Sequence, residues 1–376
     1  MRRARDDQPC IAVVQADHAL GLAVLRGSQS SCQVPTDPSS AAPMIMPADR
    51  QPVIRRTDYV ANPNESHWLT NAYEPLEGYS RVFGPERSQR AMRTRLGHKI
   101  VLDRLEGRDG AGKTTFSRQD IQDAVFNNRQ LLGELWTDDL VAQCRAQGTM
   151  PGSSGLVDVS EACEVLAAWD RTDNLDSPGS VLFKRFADLS MASNDFLISY
   201  VGANGAPMWR TPYVPGGDPV ATPSGLGPAW APAQQALADA VTQVQEAGIP
   251  LDATLRDYQR TTYGGKSNPV HGGEGTLGLF NAMNTRWDGN GYSAGGGGPS
   301  FVQVTSFGDG CPDDRTLLLG SQRSQHSGWD RSADQVALYA KKEWVDPPFC
   351  DDEVAVAAKE SVTVLGRGGV KSVRAG

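Results

Sequence analysis

The chain has 376 residues, with 36 Lys and Arg against 44 Asp and Glu, a net charge of −8 and a pI near 5.2. That balance argues against a nucleic-acid-binding role, which needs a basic footprint. Apolar residues make up 39% and charged residues 21%, so a sizeable core is available, while 40 Gly and 24 Pro point to many loops rather than a plain helical bundle. No internal repeat is visible.

Residues 1–50 read as an irregular segment, since Pro35, Pro38, Pro43 and Pro47 cannot sit inside a helix. The longest apolar stretch, 11–25, is broken by Asp17 and His18 and is too short to span a bilayer. Met1 to Arg5 is basic, but Asp6 and Asp7 follow at once, and the start does not read as an export signal. Residues 51–355 read as the main body, helical over 86–260 and β-rich over 261–355. The pattern predicts an amphipathic helix over Glu86–Leu105. Ser117 with Asp120 resembles a capping box, and Ile121, Val125, Leu132, Leu135 and Leu140 behind it keep near-helical spacing. Further helices are expected over Ser160–Trp169, over Ser180–Leu189, and over Pro232–Ala247, with Pro suited to the first turn and Gly248 as the stop. Beyond residue 260, Thr276–Met283, Phe301–Phe307, Thr316–Leu319 and Gln335–Lys341 read as short strands between Gly-rich loops. Helices followed by strands give an α+β class. Residues 356–376 read as a flexible tail, frayed from Gly366.

Three motifs invite chemistry and lack its context. Gly107–Thr114 fits the phosphate-loop pattern GxxxxGK[ST], in which Lys113 would reach the β/γ-phosphates. The residues before it read as a helix end rather than a strand, and Ser117 caps a fresh helix only after a gap. Gly291–Gly295 fits GxSxG, but turn residues precede it and Gly295 to Pro299 follow, so a loop is expected instead of a nucleophile elbow. His271-Gly272-Gly273-Glu274 lacks a second histidine at ligand spacing among only five in the chain; it reads as a solvated loop His with no metal.

The run Tyr59-Val60-Ala61-Asn62-Pro63-Asn64-Glu65-Ser66-His67-Trp68-Leu69-Thr70-Asn71 is dense in side-chain amides. An Asn beside a reacting carbonyl can donate to the oxyanion that forms there; an Asx-rich turn is the plain alternative. The run resembles the β-chain segment of the penicillin acylase family, the N-terminal-nucleophile amidohydrolases, in the branch of aculeacin-type and acyl-homoserine-lactone acylases. The likeness continues in order through Pro75–Tyr79, Gly84–Arg87, Arg93–Arg95, Phe126–Arg129, Glu134–Ala142, Trp169–Arg171, Gly275–Asn281, Ser300–Val304, Asp334-Gln335, Trp344 and Pro347–Phe349. It leaves roughly the first 30 residues unmatched, which suggests an unrelated start.

The resemblance implies a four-layer αββα sandwich and hydrolysis of an acyl amide such as an acyl-homoserine lactone, a lipopeptide or a β-lactam. In that family a new N-terminal Ser attacks the amide, its own α-amino group acts as base, and a backbone N–H with an Asn side chain holds the oxyanion. By position in the string, Asn64 matches the oxyanion-hole Asn and Arg87 a supporting Arg, placed on the first turn of the following helix. No Ser here matches the nucleophile, so the chain is expected to be the C-terminal part of a β chain. Its expected partners are the missing α chain and N-terminal part of the β chain, plus a small-molecule acyl amide, with neither nucleic acid nor membrane. No cofactor is expected: calcium occurs in some relatives, but Leu76 or Glu77 falls where a ligand would be. The family is exported, to the periplasm or outside the cell, where the six cysteines suggest disulfides. Cys144 with Cys163, from neighbouring helices, and Cys311 with Cys350, around one β segment, are the candidate pairs; Cys10 and Cys32 have no evident geometry, and unpaired buried thiols are the alternative.

Overall fold

The computed structural model describes residues 11–12, 24–25, 38–40, 42, 45–80, 83–192, 208–228, 230–263, 266–295, 298–308, 310–319, 332–358, 360–366 and 369–375. Cys10 and Cys32 lie outside them. The fold is α+β, with nine α-helices and several small sheets among the described residues.

Short strands β1 (Ile11–Ala12) and β2 (Val24–Leu25) pair antiparallel, and α1 (Met92–Leu105) is the first α-helix among the described residues. The helix starts six residues later than its pattern suggests, because residues 86–90 spend their polar groups elsewhere. The Glu86 carboxylate accepts from the backbone N–H groups of Gly78 and Tyr79, and Arg87 takes φ +51°. Helix α2 (Arg118–Phe126) begins at the capping box foreseen, Ser117 with Asp120. Helix α3 (Leu131–Gln147) is a separate element. Between them Asn128 takes φ +54°, the Asn127 side chain accepts from Arg129 N–H, and Gln130 N–H donates to Arg171 O; these bonds remove the groups a continuous helix would need.

A hairpin, β3 (Thr149–Gly152) with β4 (Gly155–Asp158), leads to α4 (Ser160–Ala168) and α5 (Ser180–Ala192). A second hairpin, β5 (Trp209–Thr211) with β6 (Ser224–Leu226), precedes α6 (Ala231–Glu246). These two hairpins interrupt the region read as helical. The main core sits between α1, α3, α4, α5 and α6. Trp136 is fully buried, with the rings of Trp209 and Trp230 centred 5.2 and 5.6 Å away. The Ala233, Ala236 and Ala240 face of α6 lets α5 approach closely. A disulfide joins Cys144 of α3 to Cys163 of α4, their Cα atoms 5.8 Å apart, and a second joins Cys311 to Cys350.

Helix α7 (Leu255–Tyr258) runs into a four-stranded sheet of order β8-β7-β10-β9, where β7 is Gln259–Tyr263, β8 Lys266–Pro269, β9 Thr285–Trp287 and β10 Tyr292–Ala294. Strand β10 runs parallel to β7, and the other pairs are antiparallel. The GxSxG stretch is therefore a strand, with Tyr292 and Ala294 facing inward and Ser293 outward. It is neither an elbow nor the loop its glycines suggest. Thr276–Met283 is not a strand either: Gly275–Leu277 is a 3₁₀ turn closed by Gly278 at φ +86°, where any Cβ would lie 2.6 Å from Leu131 Cβ.

Strands β11 (Val302–Ser306) and β12 (Asp313–Leu317) form a separate hairpin, so the second strand sits three residues earlier than read. Gln335–Lys341, expected as a strand, belongs to helix α8 (Ser332–Lys341): Val336 and Tyr339 are both buried at a three-residue spacing, on one helix face. Helix α9 (Asp351–Ala357) ends just inside the stretch read as a flexible tail, residues 356–376, which holds the hairpin β13 (Glu360–Gly366) with β14 (Gly369–Ala375), the second strand in the part read as frayed. A second core forms between α2, the sheets and α8.

His271, read as a solvated loop residue, is fully buried in that second core. Its ring stacks on Tyr339 at 4.6 Å, and Nε2–H donates to the Tyr339 carbonyl at 2.9 Å. Burial pushes its pKa down to about 3, against a smaller opposing effect of that carbonyl. Because an unfolded imidazole titrates near 6.5, the stability given by neutral His271 is complete above that pH and is lost as pH falls towards 3. The melting-temperature gap between wild type and His271→Gln is accordingly expected to narrow from about pH 6.5 to 4; a gap constant across this range would contradict the buried neutral ring.

Candidate functional site

The amide-rich run is pinned by Trp68 and Leu69, both buried. The Arg90 guanidinium lies over the Trp68 ring at 4.9 Å, and Trp68 Nε1–H donates to Glu77 Oε1 at 3.0 Å. Its three asparagines then separate in role. Asn71 is buried and saturated: Oδ1 accepts from Tyr73 and Glu74 N–H, while Nδ2 donates to Tyr59 O and Asp58 Oδ1. Asn62 Oδ1 accepts the Asn64 N–H at 3.3 Å. These two build the turn, as the plain reading has it.

Asn64 differs. It takes φ +67°, a left-handed conformation that Asn tolerates better than most residues, and this turns its exposed side chain outward. Oδ1 accepts from Arg93 Nη2 at 2.9 Å, and the same Nη2 donates to Pro63 O at 2.8 Å. A guanidinium only donates, so the carbonyl end of the amide must face Arg93. Nδ2, with no partner among the described residues, is left pointing away. The result is a fixed, outward-facing N–H donor beside a permanent positive charge.

Arg87, matched to the supporting Arg, makes no bond to Asn64 among the described residues. It lies outside any helix, with a largely exposed side chain, and forms a two-pronged pair with Glu77, Nε at 3.0 Å and Nη2 at 2.5 Å. Arg87 first, and Trp68 second, hold the Glu77 carboxyl below its ordinary range. Both Glu77 oxygens are thus bonded to Arg87. The closest His/Cys/Asp/Glu group among the described residues is Cys311, Cys350 and Asp352, and its cysteines are joined to each other. The phosphate-loop lysine is also occupied: Lys113 pairs with Asp120 at 2.6 Å, and helix α1 stands where a strand would be needed.

Below the site, Gly84 at φ +108° presses on Ser66, and a Cβ there would lie 2.5 Å from Ser66 Cβ. Ser66 Oγ donates to Pro85 O at 2.5 Å and accepts from Arg90 at 3.0 Å. On the other side the Gly275 backbone supports Arg93; a Cβ on it would sit 3.4 Å from Arg93 Cδ. The neighbouring Glu274 accepts from Thr285 N–H at 3.0 Å and faces Lys184 Nζ at 3.4 Å. Lys184 is fully buried, donates to Gln259 Oε1 at 2.5 Å and lies 4.5 Å above the Tyr292 ring. Burial pushes Asp173 up to about 7, opposed by Lys184, and Asp188 up to about 6. Arg93, Lys184 and Asp173 had no motif to announce them; Arg93 stood in the family-like string without a role.

The penicillin amidase family model matches residues 5–356. The chain belongs to the penicillin amidase family. The match starts at residue 5, so the early residues, which carry no recognisable family string, are not an unrelated start. Aculeacin-A acylase of Actinoplanes utahensis is 36% identical over 342 residues, covering 89% of this chain and 40% of the relative. Acyl-homoserine lactone acylase PvdQ of Pseudomonas syringae pv. syringae is 31% identical over 349 residues, 92% of this chain and 42% of that protein. PvdQ of Pseudomonas putida is 31% identical over 353 residues, 93% and 42%. The chain therefore spans about two fifths of the length of these relatives, which are acylases.

Two substitutions separate support from ornament. Gly84→Ala, strained in backbone and against Ser66, is expected to cost more than about 1 kcal/mol in urea denaturation. Arg87→Ala, which breaks an exposed and solvent-screened pair, is expected to cost less than Gly84→Ala. The reverse order would show that the loop is held by the surface pair.

Proposed function

We propose that this chain supplies the side-chain half of the oxyanion hole of an amide hydrolase, with Asn64 Nδ2 as the donor and Arg93 as the group that aims it. The observation that carries the reading is the division of labour on one carboxamide. Its carbonyl is held by a donor-only guanidinium, and its N–H2 stands free.

In the proposed reaction an N-terminal Ser, carried by a segment beyond the length matched here, attacks the amide carbonyl carbon through Oγ. Its own α-amine takes the hydroxyl proton. The carbonyl oxygen becomes an oxyanion and accepts from Asn64 Nδ2. The C–N bond then breaks, the amine leaves with that proton, and an acyl-enzyme ester remains. Water adds to the ester by the same route and releases the acid. Asn64 contributes most when charge on the oxygen is greatest, so it lowers the barrier rather than tightening substrate binding. Arg93 keeps the donor in place and adds a positive field.

The class of substrate under this proposal is an acyl amide: an acyl-homoserine lactone, a lipopeptide or a β-lactam. The names of the relatives favour the first two. The partners would be the α chain and the N-terminal part of the β chain, completing a four-layer αββα sandwich, with no bound cofactor. Two disulfides, Cys144–Cys163 and Cys311–Cys350, support an exported, oxidising location, and among the described residues no helix is long and apolar enough to cross a membrane.

The test is to co-express the chain with the remaining part of an acylase relative and to follow release of acid from an acyl-homoserine lactone. Hydrolysis is expected, with Asn64→Ala lowering kcat by about 10²–10³-fold at little change in KM. Asn64→Asp keeps Oδ1 for Arg93 and loses the donor, so it should be as inactive as Asn64→Ala. Full activity in either variant would leave Asn64 as a turn residue and the chain as a scaffold.

A further inference from the structure

The Asn64 turn is gripped from both sides. Residue 65 is a glutamate whose Oε1 accepts the backbone N–H of Ala91 at 3.1 Å. Ala91 is the N-cap of α1; it has no side-chain acceptor, and the first turn of the helix carries no acid. A capping box would bring a carboxylate to the N-cap N–H from three residues along the same helix. Here it comes from a different segment, 26 residues earlier. The site suits an acceptor: the helix end is its positive pole. Oε1 is the anchored oxygen; Oε2 is enclosed and has no hydrogen-bond partner among the described residues. Residues 63 and 64 are tied to α1 by Arg93, residue 65 by Ala91. The left-handed turn at Asn64 lies between two bonds to the same helix start.

We infer that Glu65 is a positioning residue for Asn64, fixing the direction of its free Nδ2–H by docking the following peptide on the N-terminus of α1. The inference rests on the reading of Asn64 as oxyanion donor. Its geometric core can be checked without catalysis. With one anchor, Arg93 could still hold Oδ1 while the backbone rotates about residue 64. Two anchors on one rigid helix turn remove that freedom, and a small misplacement of a catalytic donor is costly.

The test uses the 376-residue chain and the side-chain amide resonances of Asn64, assigned by their loss in Asn64→Asp. Glu65→Ala is expected to move them to the position of a freely rotating Asn amide, in a chain that still unfolds cooperatively at a somewhat lower melting temperature. Glu65→Gln, which keeps an acceptor for Ala91, should leave them in place. Unmoved resonances in Glu65→Ala, or equal shifts in both variants, would overturn the inference. If Glu65→Ala does not fold, Glu65→Asp takes its place: one methylene short, it should shift the resonances, and it counts against the inference if it does not. In the co-expressed acylase, Glu65→Ala should lower kcat by about 10- to 100-fold at unchanged KM. It should have no further effect when Asn64 is already Ala. An additive loss in the double variant would show that Glu65 acts by another route. A wild-type level of activity in Asn64→Ala sinks the oxyanion reading alone, since the resonance shifts are read independently of turnover.

Discussion

The geometry of this molecule's candidate site depends on one hydrogen bond, from Arg93 Nη2 to Asn64 Oδ1. A carboxamide has two nearly isosteric ends, and in a solvated loop either could face the protein. A guanidinium has no acceptor, so it selects the carbonyl end and leaves the donor end outward. The surrounding structure serves this choice. Helix α1 places Arg93 on its first turn. Gly84 lets Ser66 sit beneath the loop. Trp68, buried under Arg90, fixes the loop's far end.

The buried charges behind the site follow the same logic at higher cost. Lys184 is removed from water entirely, which is tolerable only with compensating groups close by. Gln259, Glu274 and the Tyr292 ring supply them. Asp173, buried alongside, has its carboxyl pushed towards neutrality by the same desolvation. This set joins α5, the four-stranded sheet and the 271–283 segment, and so connects the helical core to the segment supporting Arg93.

Much of the scaffold was readable because its signals are local. The Ser117–Asp120 box, Pro232 at the head of α6 and Gly248 beyond its end each act over a single turn, and each predicted helix is present, the one behind the box broken into two. The errors fall where a distant contact outweighs local pattern. Val336 and Tyr339 look compatible with a strand until α2 and the sheet claim both for one helix face. Tyr292-Ser293-Ala294 is flanked by glycines yet becomes a central strand because β7 and β9 hydrogen-bond to it from either side. His271 carries no sequence mark of burial; the Tyr339 ring and carbonyl create it.

By itself the sequence determined the α+β class, most helix starts and stops, and the likeness that singled out Asn64. These depend on capping, turn chemistry and ordered strings of residues, which are properties of neighbours along the chain. Only the tertiary structure shows which arginine hydrogen-bonds Asn64. Arg87 and Arg93 both stand in family-like strings and only Arg87 matches the family's supporting Arg, but Arg87 lies before the helix with a left-handed backbone and pairs with Glu77. Arg93 lies on the first turn of α1 and reaches across 29 residues to the loop. Spacing in sequence does not report that direction, because it is set by where the helix begins and by what Glu65 and Ala91 hold in place.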